Sequence, residues 1–177
     1  MRKSYVVMIT AALLVLAVGI GATVAYLVSA SHPVVNTFTV GSVRITLTET
    51  GGNKYQLIPG TAIYKDPTVT VEAGSDECWL FVKVEEAGAF DQYCEFEIQD
   101  GWTALSGYRN IYYRQVEKTS QPAAFPVLKD NRVFVKATLT EEDLKIITHY
   151  PTLSVTAYAV QSQGVATAQD AWLILNQ

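Results

Sequence analysis

The chain has 177 residues, 49% of them hydrophobic, and carries 17 acidic against 13 basic side chains for a formal net charge of −4. That length suits one domain plus a targeting segment. The lysines and arginines are scattered singly, which excludes the clustered basic face of a nucleic-acid binder, and there is neither a solenoid-length repeat nor a low-complexity tail.

Met1-Arg2-Lys3 is a short basic start, and no charged residue follows from Tyr5 to Val28. An apolar run of this length serves either as a signal peptide or as a membrane anchor. Thr23 and Ala25 fit the −3 and −1 positions before a cut at Tyr26, and Val28 and Ala30 fit the same roles before Ser31. Either outcome puts the rest of the chain outside the membrane. Cleavage removes two cations, Arg2 and Lys3, and takes the net charge from −4 to −6.

Beyond residue 30 the pattern has period two, the signature of half-buried strands. "TFTVGSVRITLTE" sets Val43, Ile45 and Leu47 on one face against Arg44, Thr46 and Thr48. In "LIPGTAIYKDPTVTV", Pro59-Gly60 reads as a turn with glycine at positive φ. Pro67 has no amide to donate and belongs at the start of the strand that begins near Thr68, with Tyr64 covering a flank of the core. "CWLFVKVE" is nearly all apolar and predicts a central strand covered on both faces. "CEFEIQ", "VFVKATLT" and "TLSVTAYAV" alternate again, the last with Leu153, Val155, Ala157 and Ala159 inward.

Two segments depart from this period. "TEEDLKIITHY" opens on Thr140 as an N-cap with three acids in the first turn. Leu144, Ile147 and Tyr150 form its apolar stripe, Pro151 stops it, and His149 sits at its C-terminal end. "TAQDAWLIL" places Trp172 and Leu175 at i, i+3. Several short strands with one or two inserted helices predict an all-β, antiparallel β-sandwich preceded by an N-terminal signal or transmembrane helix.

Residues that carry chemistry are few. His32 and His149 are the only histidines, no zinc, nucleophile-elbow or phosphate-loop motif occurs, and the carboxylates match no calcium loop. The expectation is a protein with no catalytic set, no metal and no cofactor. Export permits a disulfide between Cys78 and Cys94, which face each other if their strands form a hairpin centred on Glu86. The alternative is two small core residues. Trp102, Tyr108, Tyr112 and Tyr113 form either a stacking platform for glycan or peptide or strand residues alternating between core and rim.

The order of "GATVAYL", "NTFTVGSVRITLTE", "LIPGTAIYKDPTVTVEAGSDECWLFVKVEE", "GWTAL…IYYR", "VFVKATLTEEDL" and "LSVTAYAVQSQGVATAQDAW" resembles the TasA/camelysin family across nearly the whole chain. The most specific blocks are Asn36-x-Phe38-x-x-Gly41, Pro59-Gly60 to Val71, and Phe81-Val82-Lys83-Val84. These are exported proteins of Gram-positive bacteria with a leader cut by a SipW-type signal peptidase. The resemblance implies a jelly-roll-like sandwich over residues 39–177, a leader over 1–26, and a donor strand within 27–38 that includes Val34, Val35 and Phe38. It further implies a secreted or cell-surface subunit of the biofilm matrix that adds its N-terminal strand to a neighbouring copy and forms fibres. The partners would be the protein itself or other matrix proteins, with a signal peptidase during export, no nucleic acid, and a membrane only before cleavage. Leu27, Val28 and Ser29 depart from the Phe and Asp that follow many family leaders. Camelysin-like members are described as metalloproteases, but no zinc-ligand pattern in this chain supports that activity. The other reading is a surface-displayed binding module that uses the Trp102–Tyr113 aromatics.

Overall fold

The computed structural model describes residues 27–29, 37–40, 42–51 and 54–176. Residues 27–29, 37–40 and 54 are described by their backbone alone. The leader, with Thr23, Ala25 and Tyr26, lies outside the described residues, as do Val34, Val35, Asn36 and Gly41. Among the described residues no helix is long and apolar enough to cross a membrane.

In chain order the strands are β1 (Leu27–Ser29), β2 (Thr37–Val40), β3 (Ile45–Thr48), β4 (Lys54–Gln56), β5 (Ala62–Tyr64), β6 (Thr68–Val71) and β7 (Cys78–Ala87). Helix α1 (Phe90–Tyr93) precedes β8 (Cys94–Glu95), β9 (Thr103–Ala104), β10 (Ile111–Val116), β11 (Ala123–Pro126) and β12 (Arg132–Val135). Helix α2 (Glu141–Lys145), β13 (Thr152–Gln161) and α3 (Ala168–Leu175) complete the chain.

The protein is mostly β, as its alternation predicts. One five-stranded sheet runs β2-β13-β7-β10-β9. Opposite it lie two three-stranded sheets, β11-β6-β3 and β5-β12-β8, and β1 pairs with β4. The main core joins Leu80, Val82 and Val84 of β7 and Val155 and Ala157 of β13 to Ile45, Leu47, Val69, Val71 and Val133 of the opposing sheets. Each buried valine, leucine or isoleucine among them contributes about 1.5–3 kcal/mol of transfer free energy. β7 lies between β13 and β10, and a ten-rung ladder from Thr152↔Ala87 to Gln161↔Cys78 fixes its register. Its other face carries Phe81, which packs with Ala168, Ala171 and Trp172 of α3. The run "CWLFVKV" is apolar on both faces because both faces are covered.

Four expectations need correction. The period-two run 37–48 is divided: β2 belongs to the five-stranded sheet and β3 to the sheet facing it, so the chain changes layers between β2 and β3. The antiparallel expectation fails at one pair, since β2 runs parallel to β13, with Phe38↔Tyr158 in register. Helix α2 ends at Lys145, so His149 caps nothing; it is exposed and lies beside Thr148. Ile146, Ile147 and Thr148 are β-branched and weak helix formers, and the position before Pro151 resists helical φ/ψ. Tyr64 is 54% exposed and does not cover the core.

The turn chemistry agrees with the sequence. Gly60 has φ +77, and the Thr61 amide donates to the Ile58 carbonyl at 3.1 Å. Pro67 directly precedes β6, and its carbonyl accepts from the Val127 amide. Thr140 caps α2 in a reciprocal box with Asp143.

Candidate functional site

Two kinds of site follow from the sequence: an N-terminal segment able to add to a sheet edge, and an aromatic platform. The segment is seen in part. β1 pairs antiparallel with β4, with Val28 opposite Tyr55, and β2 forms the outer strand beside β13. β2 is therefore an edge strand. It is held by main-chain bonds to the last strand of the chain, and its outer side has no neighbour among the described residues. Phe38 lies in β2; Val34 and Val35 lie outside the described residues.

The platform does not form, because strand alternation separates its members. Trp102 is buried, and its indole Nε1 donates to the Pro126 carbonyl at 2.8 Å. Tyr112 packs against the main core, whereas Tyr113 turns to the α3 side, where its ring lies 5.9 Å from Trp79 and 6.2 Å from Phe81. Tyr108 is exposed and meets Trp172 edge-on at 6.2 Å. The rings serve two cores on opposite faces of one sheet, which is the alternation that period two implies.

The cysteines are free and buried. The hairpin that would have brought them together does not exist. Gly88-Ala89 and α1 turn the chain after β7, and β8 pairs with β12 in another layer. Burial pushes the Cys78 thiol up to about 11, and burial likewise pushes Cys94 up to about 11 against the small opposing effect of Lys136. Few thiolates form in such settings, so these thiols are poor nucleophiles. Among the described residues no group of three or more His, Cys, Asp or Glu side chains could hold a metal ion.

Two polar arrangements, one buried and one half-buried, were not anticipated as sites. Lys65 Nζ lies 2.7 and 2.9 Å from the two carboxylate oxygens of Glu49, with the side chains 8 and 7% exposed. The Tyr55 hydroxyl approaches the same carboxylate at 3.4 Å. Burial, followed by the Glu49 charge, pushes the Tyr55 phenol up to about 12. The pair ties the end of β3 to the end of β5, Glu49 and Lys65 each directly following its strand. In the same corner the Thr50 and Gly51 amides each donate to Asp66 Oδ1 at 2.8 Å. Burial would raise the Asp66 carboxyl, but these bonds and that from the Thr50 hydroxyl outweigh it and hold the group below its usual range. The second arrangement is Arg114, whose guanidinium carbon lies 4.1 Å from the centre of the Phe125 ring and 5.5 Å from that of Trp102. It closes the core beside β11 as a cation–π stack.

No protein-family model, no curated protein and no solved structure matches the chain.

Proposed function

We propose that the chain is an exported, non-enzymatic structural subunit of the cell surface or biofilm matrix, which joins copies of itself by N-terminal strand addition. Its leader delivers the domain across the membrane, and its sandwich has the jelly-roll-like form that the family resemblance implies. One observation carries this reading: among the described residues β1 and β2 each pair with a single strand, β1 with β4 and β2 with β13. Such ladders depend on main-chain groups and not on particular side chains. The same residues of a second copy can make the same bonds, which is the low-cost exchange seen in domain swapping.

The reading is tested with purified protein starting at Leu27 and with a second form starting at Thr39. The expected outcome is fibres from the first, seen by electron microscopy, and none from the second, with circular dichroism checking that the second form keeps its β-sheet content. Fibres of the same morphology from both forms would refute strand addition by residues 27–38. N-terminal sequencing of protein recovered from culture medium and from membranes then decides where the mature segment begins.

A further inference from the structure

The strongest feature left unused lies beside β8, an edge strand of a different sheet from β2. After α1, residues 94–98 run along a groove of ≈ 570 Å³. Its floor is apolar: Phe90 is buried and meets the half-buried Phe96 edge-on at 5.8 Å, and Tyr112 forms the facing wall. Its rim is anionic. Glu86 stands at the end of β7, Asp91 on α1 and Glu95 on β8, and none of the three has an ion-pair partner among the described residues. Glu97 is different, because Lys129 pairs with it at 2.6 Å. Lys136 is the cation that lines the groove, and it donates to the Asp91 carbonyl oxygen instead of a carboxylate. Burial and then the Glu86 charge push the Tyr112 phenol up, so that wall stays a neutral ring.

Along the groove the backbone of Phe96 and Ile98 has no hydrogen-bond partner among the described residues. Glu95 pairs with Phe134 of β12, the Glu97 carbonyl accepts from the Lys129 amide, and the Gln99 amide donates to the Val127 carbonyl. In an antiparallel ladder alternate residues direct their N–H and C=O to opposite sides. Phe96 and Ile98 therefore turn theirs away from this layer, and β8 is the last strand of its sheet. Exposed strand edges of this kind accept an added strand.

We propose that the groove is a docking site for an extended peptide segment bearing alternate lysine or arginine side chains, contributed by a different protein. The main chain of that segment would extend β8 along residues 94–98. Its cations would meet Glu86, Asp91 and Glu95, and their alkyl stems would lie on Phe90, Phe96 and Tyr112, where cation–π attraction adds to the charge. Charge decides between candidate occupants. The chain's own segment 27–40, "LVSASHPVVNTFTV", contains no lysine or arginine, and a second copy brings a net charge of −4. Neither complements three uncompensated carboxylates, whereas a basic strand does. The inference stands apart from N-terminal strand addition, since it uses another edge and another partner.

The test uses the protein from Leu27 onward and a fluorescein-labelled decapeptide of alternating lysine and valine, followed by anisotropy at two salt concentrations. Glu86→Gln combined with Glu95→Gln alters two exposed side chains and leaves the core intact. Saturable binding is expected, weakened about tenfold or more by the double substitution and further by added salt. The same peptide with N-methyl groups on alternate amides should also bind about tenfold more weakly, because it cannot complete a ladder. The proposal is overturned by an absence of saturable binding. It is equally overturned if the double variant binds as tightly as the parent, or if the N-methylated peptide binds as tightly as the unmodified one.

Discussion

The Glu49–Lys65 pair gives the sharpest test of the physical account. At 2.7 Å two unit charges attract by about 6 kcal/mol for an effective dielectric constant near 20. Taking both groups out of water costs several kcal/mol per ion, so the intact pair contributes little net stability. Removing one member has a different effect. Lys65→Met leaves a buried carboxylate whose remaining hydrogen-bond partner among the described residues is the Tyr55 hydroxyl at 3.4 Å, and Glu49→Leu leaves an ammonium with no ion-pair partner among the described residues. Each single substitution is expected to cost about 3–5 kcal/mol, while the double substitution, which fills the same space with apolar atoms, should be less destabilising than either. Urea denaturation of the four proteins, followed by tryptophan fluorescence and fitted with a common m-value, measures the cycle. If both singles fall within about 1 kcal/mol of the parent, the pair behaves as a solvated surface pair and the burial argument is wrong. If the double variant loses the full sum of the singles, the two charges are not coupled and the cycle refutes the account just as firmly.

Other expectations follow from single features. Gly88 has φ +65, and a Cβ there would lie 2.1 Å from the Tyr150 carbonyl oxygen. Gly88→Ala should therefore cost about 2–5 kcal/mol from the left-handed conformation and the backbone clash together; a thermal midpoint unchanged from the parent would show that the β7–α1 corner relaxes freely. Both cysteines should resist a thiol reagent at pH 8 in the native protein and react fully in denaturant, and rapid native labelling would contradict their burial. Tyr55 has a phenol raised from 10.0 to about 12, so its contribution to stability is complete below pH 10 and is lost as pH rises toward 12. Tyr55→Phe should remove that part of the alkaline decline in urea titrations, and an identical decline in both proteins would exclude Tyr55 as its source. Trp172→Ala should cost about 3–5 kcal/mol, because the ring is buried against Phe81 at 5.3 Å and Tyr158 at 5.2 Å. A loss below about 1 kcal/mol would mean that α3 is not needed to seal that face.

Much of the architecture is local and can be read from the chain. Period two places Val43, Ile45 and Leu47 inward, and the same parity carries on to Glu49. Counting back from Val71 and Val69 through Pro67 likewise puts Lys65 inward. The buried ion pair was thus written in the alternation, one rung past the apolar residues on each side. Pro67, Gly60 and the Thr140 cap follow from the chemistry of single residues, and the apolar double face of β7 foretold cover on both sides. What alternation cannot supply is partnership. It gives each residue a face, but it cannot say which strand lies alongside, because main-chain hydrogen bonds are the same for every sequence. For that reason only the tertiary structure decided that β2 lies parallel to β13, that β2 and β3 divide between layers, and that Cys78 and Cys94 sit on strands that do not pair with each other. It also divided the four aromatics between two cores. The groove beside β8 is local in part, since Glu86, Asp91 and Glu95 fall within one short stretch of three consecutive elements, but Tyr112 and Lys136 reach it only through tertiary packing.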